Sequence, residues 1–163
     1  MYTKKQKIEV YISFFLAVFS IEIFQIFVAH KGILKIYESG QELTWTFPLH
    51  VLLPLWTVLY SFMAIAGAIV YIKRASYIRS FALVAWIIQL GLNMLWPVCF
   101  YYVPIQIASP ISITVLFMTL IIFMFYGFLL ERKVFFLSLP FFFMIAYKMT
   151  FIWIFYILNI NLL

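Results

Sequence analysis

Two ionisable side chains, Glu22 and Lys148, stand inside long apolar runs of this 163-residue chain. An ionisable group near the middle of a bilayer costs roughly 2.5–3.5 kcal/mol on insertion scales, so it normally faces a partner or a cavity. Counted from the charged ends of their runs, each lies about 14 residues in, which is about 21 Å at 1.5 Å rise per residue. Equal depth predicts a pair, formed directly or through water. That pair would either border a binding site or be a purely structural ion pair; separate snorkelling to the interface is a further alternative. A Lys148 ammonium reaching an interior site could hold an anionic group of a ligand, and Glu22 acting alone could carry a proton.

Amides and aromatics supply the other candidate chemistry. Ala82, Trp86, Gln89, Asn93, Trp96 and Phe100 recur at steps of three or four, so a helix places them on one face. Gln89 and Asn93 are expensive against lipid and should turn towards neighbouring helices, where such amides hydrogen-bond for about 1 kcal/mol. Gln89 reads as interhelical glue, and for Asn93 glue and ligand contact are both open. Trp56, Tyr60, Met63, Gly67 and Tyr71 line up in the same way, with Ala64, Gly67 and Ala68 as a small-residue patch for close helix packing. From spacing alone Trp56 and Tyr60 fit an interfacial aromatic belt as well as a pocket wall.

Other chemistry finds little to stand on. His30 and His50 have no second ligand at metal spacing and read as surface or lid residues, a haem-ligand role being the residual alternative. No Ser-His-Asp arrangement, phosphate-cradling Gly-rich loop or H-E-x-x-H motif occurs. The single cysteine, Cys99, can form neither an intrachain disulfide nor a cysteine metal cluster. No motif requires a cofactor, and enzymatic activity is not the favoured expectation.

The elements that position these residues follow from composition. Hydrophobic residues make up 67% of the chain and charged ones 10%, against about 25% charged in a soluble domain. A crossing needs roughly 20 mostly apolar residues, and five such windows exist: 8–29, 49–72, 80–103, 107–130 and 134–158. They are continuously apolar rather than alternating, which predicts helices and not barrel strands. The expected architecture is one all-α integral membrane domain over residues 1–163, a five-transmembrane-helix bundle in contact with the lipid bilayer.

The formal charge of +6 does not point to nucleic acid, because the basic residues sit in turns between spans. Lys4, Lys5, Lys7, Lys73, Arg74, Arg79, Arg132 and Lys133 fall on one side and Lys31 and Lys35 on the other. The positive-inside rule then predicts a cytoplasmic N-terminus and a C-terminus outside. The first span follows three lysines as a signal peptide would, but its apolar run is too long and lacks a cleavage site, so it reads as a retained helix. The one sizeable connection, 30–47, is non-cytoplasmic and could cap the bundle as a lid. Pro48 suits the first turn of the second helix, and Pro54 should kink it.

Read together, these motifs carry a resemblance. Tyr37, then Trp45-Thr46-Phe47-Pro48, Pro54-Leu55-Trp56-Thr57-Val58-Leu59-Tyr60 and Met63-Ala64-Ile65-Ala66-Gly67 are followed by Gln89-Leu90-Gly91-Leu92-Asn93-Met94-Leu95-Trp96, and later by Pro140 and Asn159. In order and helix placement this resembles the TspO/MBR family, the translocator or tryptophan-rich sensory proteins, with a divergent bacterial-type pattern. The resemblance implies a TspO-like bundle in a bacterial cell membrane, frequently a homodimer, with a pocket opening towards the first loop. It also implies a planar hydrophobic small molecule as ligand, of which tetrapyrroles such as protoporphyrin IX or haem are the expected class.

Carried onto this chain, the resemblance makes Trp56, Tyr60, Asn93, Trp96 and Met144 pocket walls and Tyr37 and Trp45 the lid. Lys148 becomes an anchor for an anionic group, with Glu22 beside it. Two departures stand out. Where relatives have P-Y-x-x-W, this chain reads Pro140-Phe141-Phe142-Phe143-Met144, and Lys148 replaces a small pocket residue one turn later. The cholesterol motif of animal relatives is absent, since no Lys or Arg follows Tyr156. The leading expectation is a carrier or sensor. A light-dependent porphyrin-degrading enzyme is disfavoured by the methionine at 144. A small proton-coupled exporter using Glu22 is disfavoured by a lysine at the same depth.

Overall fold

A computed structural model describes the backbone of residues 2–38, 49–103 and 107–159, and the side chains of residues 2–31, 54–103 and 107–158. These residues form five helices: α1 (Lys4–Glu38), α2 (Leu49–Ile72), α3 (Tyr77–Tyr101), α4 (Ala108–Leu130) and α5 (Arg132–Asn159). All five are long and apolar enough to cross a membrane. The starts of α1 and α3 are set by side chains that satisfy orphan amides of the first turn. Thr3 and Gln6 form a reciprocal capping box at α1, with Thr3 N–H donating to Gln6 Oε1 at 2.9 Å and Gln6 N–H to Thr3 Oγ1 at 3.3 Å. Ser76 caps α3 by accepting from the Arg79 N–H at 3.2 Å. Between α4 and α5 a single residue, Glu131, suffices for the turn.

The first helix departs from expectation. It continues to Glu38, so residues 30–38 prolong α1 instead of opening a loop. Gly32 inside this stretch costs about 1 kcal/mol relative to Ala. It is flanked by good helix formers, and extending an existing helix adds a hydrogen bond per residue without a new nucleation step. Tyr37 therefore belongs to the last turns of a helix, and the connection proper is 39–48.

The helices close into a ring in the order α1, α2, α5, α4, α3 and back to α1, with α2 also touching α3 and α4 across the middle. Val18, Tyr60, Met63, Ile113, Leu116, Leu120, Phe123, Phe141 and Ile145 fill the interior. The small-residue patch of α2 packs as expected. Trp86 of α3 packs against it and donates from Nε1 to the Met63 carbonyl at 3.1 Å. A Cβ at Gly67 would stand 2.6 Å from Trp86 Cε2 and 2.8 Å from Phe14 Cδ1, so only glycine lets α1, α2 and α3 meet here. Gly67→Ala is expected to destabilise the bundle by at least about 1 kcal/mol through overpacking, read as a lower midpoint in denaturant titration in micelles.

At the N-terminal end the loops are tied together by Lys73, whose Nζ donates to Glu131 Oε2 at 2.5 Å. That hydrogen bond and the lysine charge hold the Glu131 carboxyl below the usual carboxylate range. The basic ends of α1, α2–α3 and α4–α5 thus share one face of the bundle, as the charge distribution predicts. This is an integral, multi-pass membrane protein.

Candidate functional site

The half of the bundle nearer the 39–48 connection gathers most of the candidate residues around α2. On the α1 side, Glu22 is 6% exposed and accepts from Thr57 Oγ1 at 2.5 Å. One turn along α1, Gln25 accepts from the Tyr60 hydroxyl at 2.7 Å and donates from Nε2 to the Asn93 carbonyl. The Tyr60 hydroxyl is also 3.4 Å from Asn93 Oδ1, and Asn93 Nδ2 donates to the Gln89 carbonyl at 3.0 Å. Tyr60 is 1% exposed, which places it in the interior and not in an interfacial belt.

Asn93 is the hub because of its place in the chain. Pro97, four residues later, lacks the N–H that would bond the Asn93 carbonyl, and its ring crowds that carbonyl. The freed acceptor turns to Gln25 of α1, an external donor that restores the missing bond. Gln25 and Thr57 were not among the residues singled out by sequence. The signals for Gln25 are the three-residue step from Glu22 and the four-residue step from Asn93 to Pro97, whereas no spacing marks Thr57.

On the other side of α2, Lys148 of α5 is half-buried and turns inward. Its Nζ lies 3.5 Å from the centroid of the Trp96 ring and 4.3 Å from that of Trp56. Two indole faces attract a cation by about 2 kcal/mol or more where water is excluded. Trp56 packs in turn on Tyr60, with centroids 5.8 Å apart, and edge-on to Phe141 at 6.1 Å. Met144, half-buried on α5, packs against the same core.

The direct pairing of Glu22 with Lys148 is not formed. Among the described residues the ion pair within 4.0 Å is Lys73 with Glu131. The depths do match, since Glu22 meets Thr57 and Lys148 meets the adjacent Trp56. Successive residues on a helix point about 100° apart, however, so α2 stands between the two charges. Gln89 also departs from its reading as glue: it is 0% exposed, and neither end of its amide has a partner among the described residues. The Trp96 Nε1–H, equally buried, is likewise unpartnered. Trp45 and the side chains of Tyr37 and His50 lie outside the described residues, and so does the side chain of Asn159. His30 is exposed near the end of the first span, and no cluster of three potential metal ligands occurs among the described residues.

Chemically this is a binding arrangement. It offers packed aromatic side chains, a cation held by indole faces with no ion-pair partner among the described residues, and buried polar atoms that native interiors rarely leave unmatched. A search of curated proteins finds no match to the chain. The family model described as TspO/MBR family matches residues 13–157, nearly the whole length, including every element of the arrangement just described. With five membrane-crossing helices and that match, the chain belongs to the TspO/MBR family, which supports a ligand-binding or sensory role in the membrane.

Proposed function

We propose that this protein binds a planar hydrophobic molecule with an anionic edge, a tetrapyrrole such as protoporphyrin IX or haem, and acts as its carrier or sensor. In this reading Trp56, Tyr60, Asn93, Trp96 and Met144 form the walls, and Tyr37 and Trp45 lie towards the mouth. Lys148 takes a ligand carboxylate. The observation that carries the reading is the Lys148 ammonium, turned inward between two indoles and without an acidic partner among the described residues.

The physical argument is one of matching. An ammonium among apolar groups strongly favours a counter-charge, and the indoles that hold it offer flat surfaces on which a conjugated macrocycle stacks. A porphyrin carrying propionates presents both features in one molecule. Trp56 and Trp96 would touch such a ligand, so their emission reports its arrival. Titration of the protein in nanodiscs with protoporphyrin IX is expected to quench tryptophan fluorescence saturably, to one ligand per chain. Quenching that rises linearly, as for simple partition into lipid, would refute the proposal.

A further inference from the structure

Away from the aromatic site, a cavity of about 790 Å³ opens at the end of the bundle that carries the N-terminus. Its walls bring together Lys7 of α1, Lys73 and Arg74 of the α2–α3 turn, and Arg79 of α3, with Tyr2 and Ile72 as apolar surface. Lys73 is already committed to Glu131, and no acidic side chain lines the cavity among the described residues, which leaves Lys7, Arg74 and Arg79 without an ion pair there. Arg79 is held with its guanidinium carbon 5.0 Å from the Tyr71 ring centroid, and its Nε is buried without a partner among the described residues. That leaves a fixed, partly desolvated donor group of the kind that binds phosphate oxygens in a fork.

The level of the cavity narrows the ligand. Ile72 is the last residue of α2, Tyr77 the first of α3, and Lys7 lies in the first turns of α1, so the cavity sits where the helices leave the apolar slab. Lipid phosphates lie at that level, and the Tyr2 and Ile72 surface suits the glycerol and upper acyl carbons that accompany a headgroup. We propose that this cavity binds the phosphate headgroup of an anionic phospholipid through Lys7, Arg74 and Arg79.

Native mass spectrometry of the full chain released from micelles tests this with phosphatidylglycerol and phosphatidylcholine as probes. One phosphatidylglycerol should be retained per chain, with at least about tenfold preference over phosphatidylcholine. Lys7→Gln with Arg74→Gln, both at exposed positions and so compatible with the fold, should weaken that binding on the order of twentyfold. Arg132→Gln with Lys133→Gln removes two charges from the same face outside the cavity and should leave the bound lipid in place. Equal losses in the two double variants would mean diffuse attraction and would overturn the site. Displacement by millimolar inorganic phosphate without discrimination between the lipids would overturn a lipid headgroup as the occupant.

Discussion

Replacing Lys148 by methionine is expected to weaken protoporphyrin IX binding by about 10- to 100-fold, while affinity for its dimethyl ester stays nearly unchanged. A hydrogen bond to a charged group contributes about 1.5–3 kcal/mol, and each 1.4 kcal/mol is a factor of ten in affinity. Methionine keeps most of the length and an unbranched apolar stem and can still rest on Trp56 and Trp96, so the walls are preserved. Because the ammonium has no acidic partner among the described residues, removing it leaves no orphaned carboxylate there. The variant should be at least as stable as the parent, which separates lost affinity from lost fold. Tryptophan quenching with acid and ester, run on both proteins, measures the effect. A parallel fall for acid and ester would mean that the lysine only shapes the walls, and the anchor would have to be abandoned.

Much of this molecule is legible in its sequence because a bilayer imposes few solutions. Apolar runs of bilayer length, broken by charges and turn residues, predict α2 at its observed bounds and place α3, α4 and α5 within a few residues. The first connection was less legible, since Gly32 reads as a break when judged locally but is only a modest penalty to a helix already propagating. The site shows the same division. Helical spacing brings Trp56 with Tyr60 and Asn93 with Trp96, and the structure turns both pairs inward. Depth alone matches Glu22 to Lys148, but depth has no angular component, and the angle is what puts α2 between them. Gln89 illustrates the converse: its burial follows from polarity and face, whereas whether a buried amide finds a partner depends on atoms of other helices.

The proline that organises the polar site makes a sharper prediction about stability. Gln25→Leu should cost about 1–3 kcal/mol, because it removes both the donor to the Asn93 carbonyl and the acceptor of the Tyr60 hydroxyl. Part of that loss exists only because Pro97 denies the carbonyl its helical partner. Pro97→Ala supplies an N–H four residues after Asn93, so in that background the same glutamine substitution should cost about 1 kcal/mol less. The residual cost is the Tyr60 hydroxyl, which would retain only the longer contact to Asn93 Oδ1. Unfolding of the four proteins in mixed micelles, followed by loss of helical circular dichroism, gives the coupling free energy directly. Strict additivity would show that the glutamine does not substitute for the missing amide, and the link between α1 and the Pro97 segment of α3 would need another cause. A coupling of the expected size would instead identify the amide missing at Pro97 as the reason that a residue of α1 takes part in the polar site.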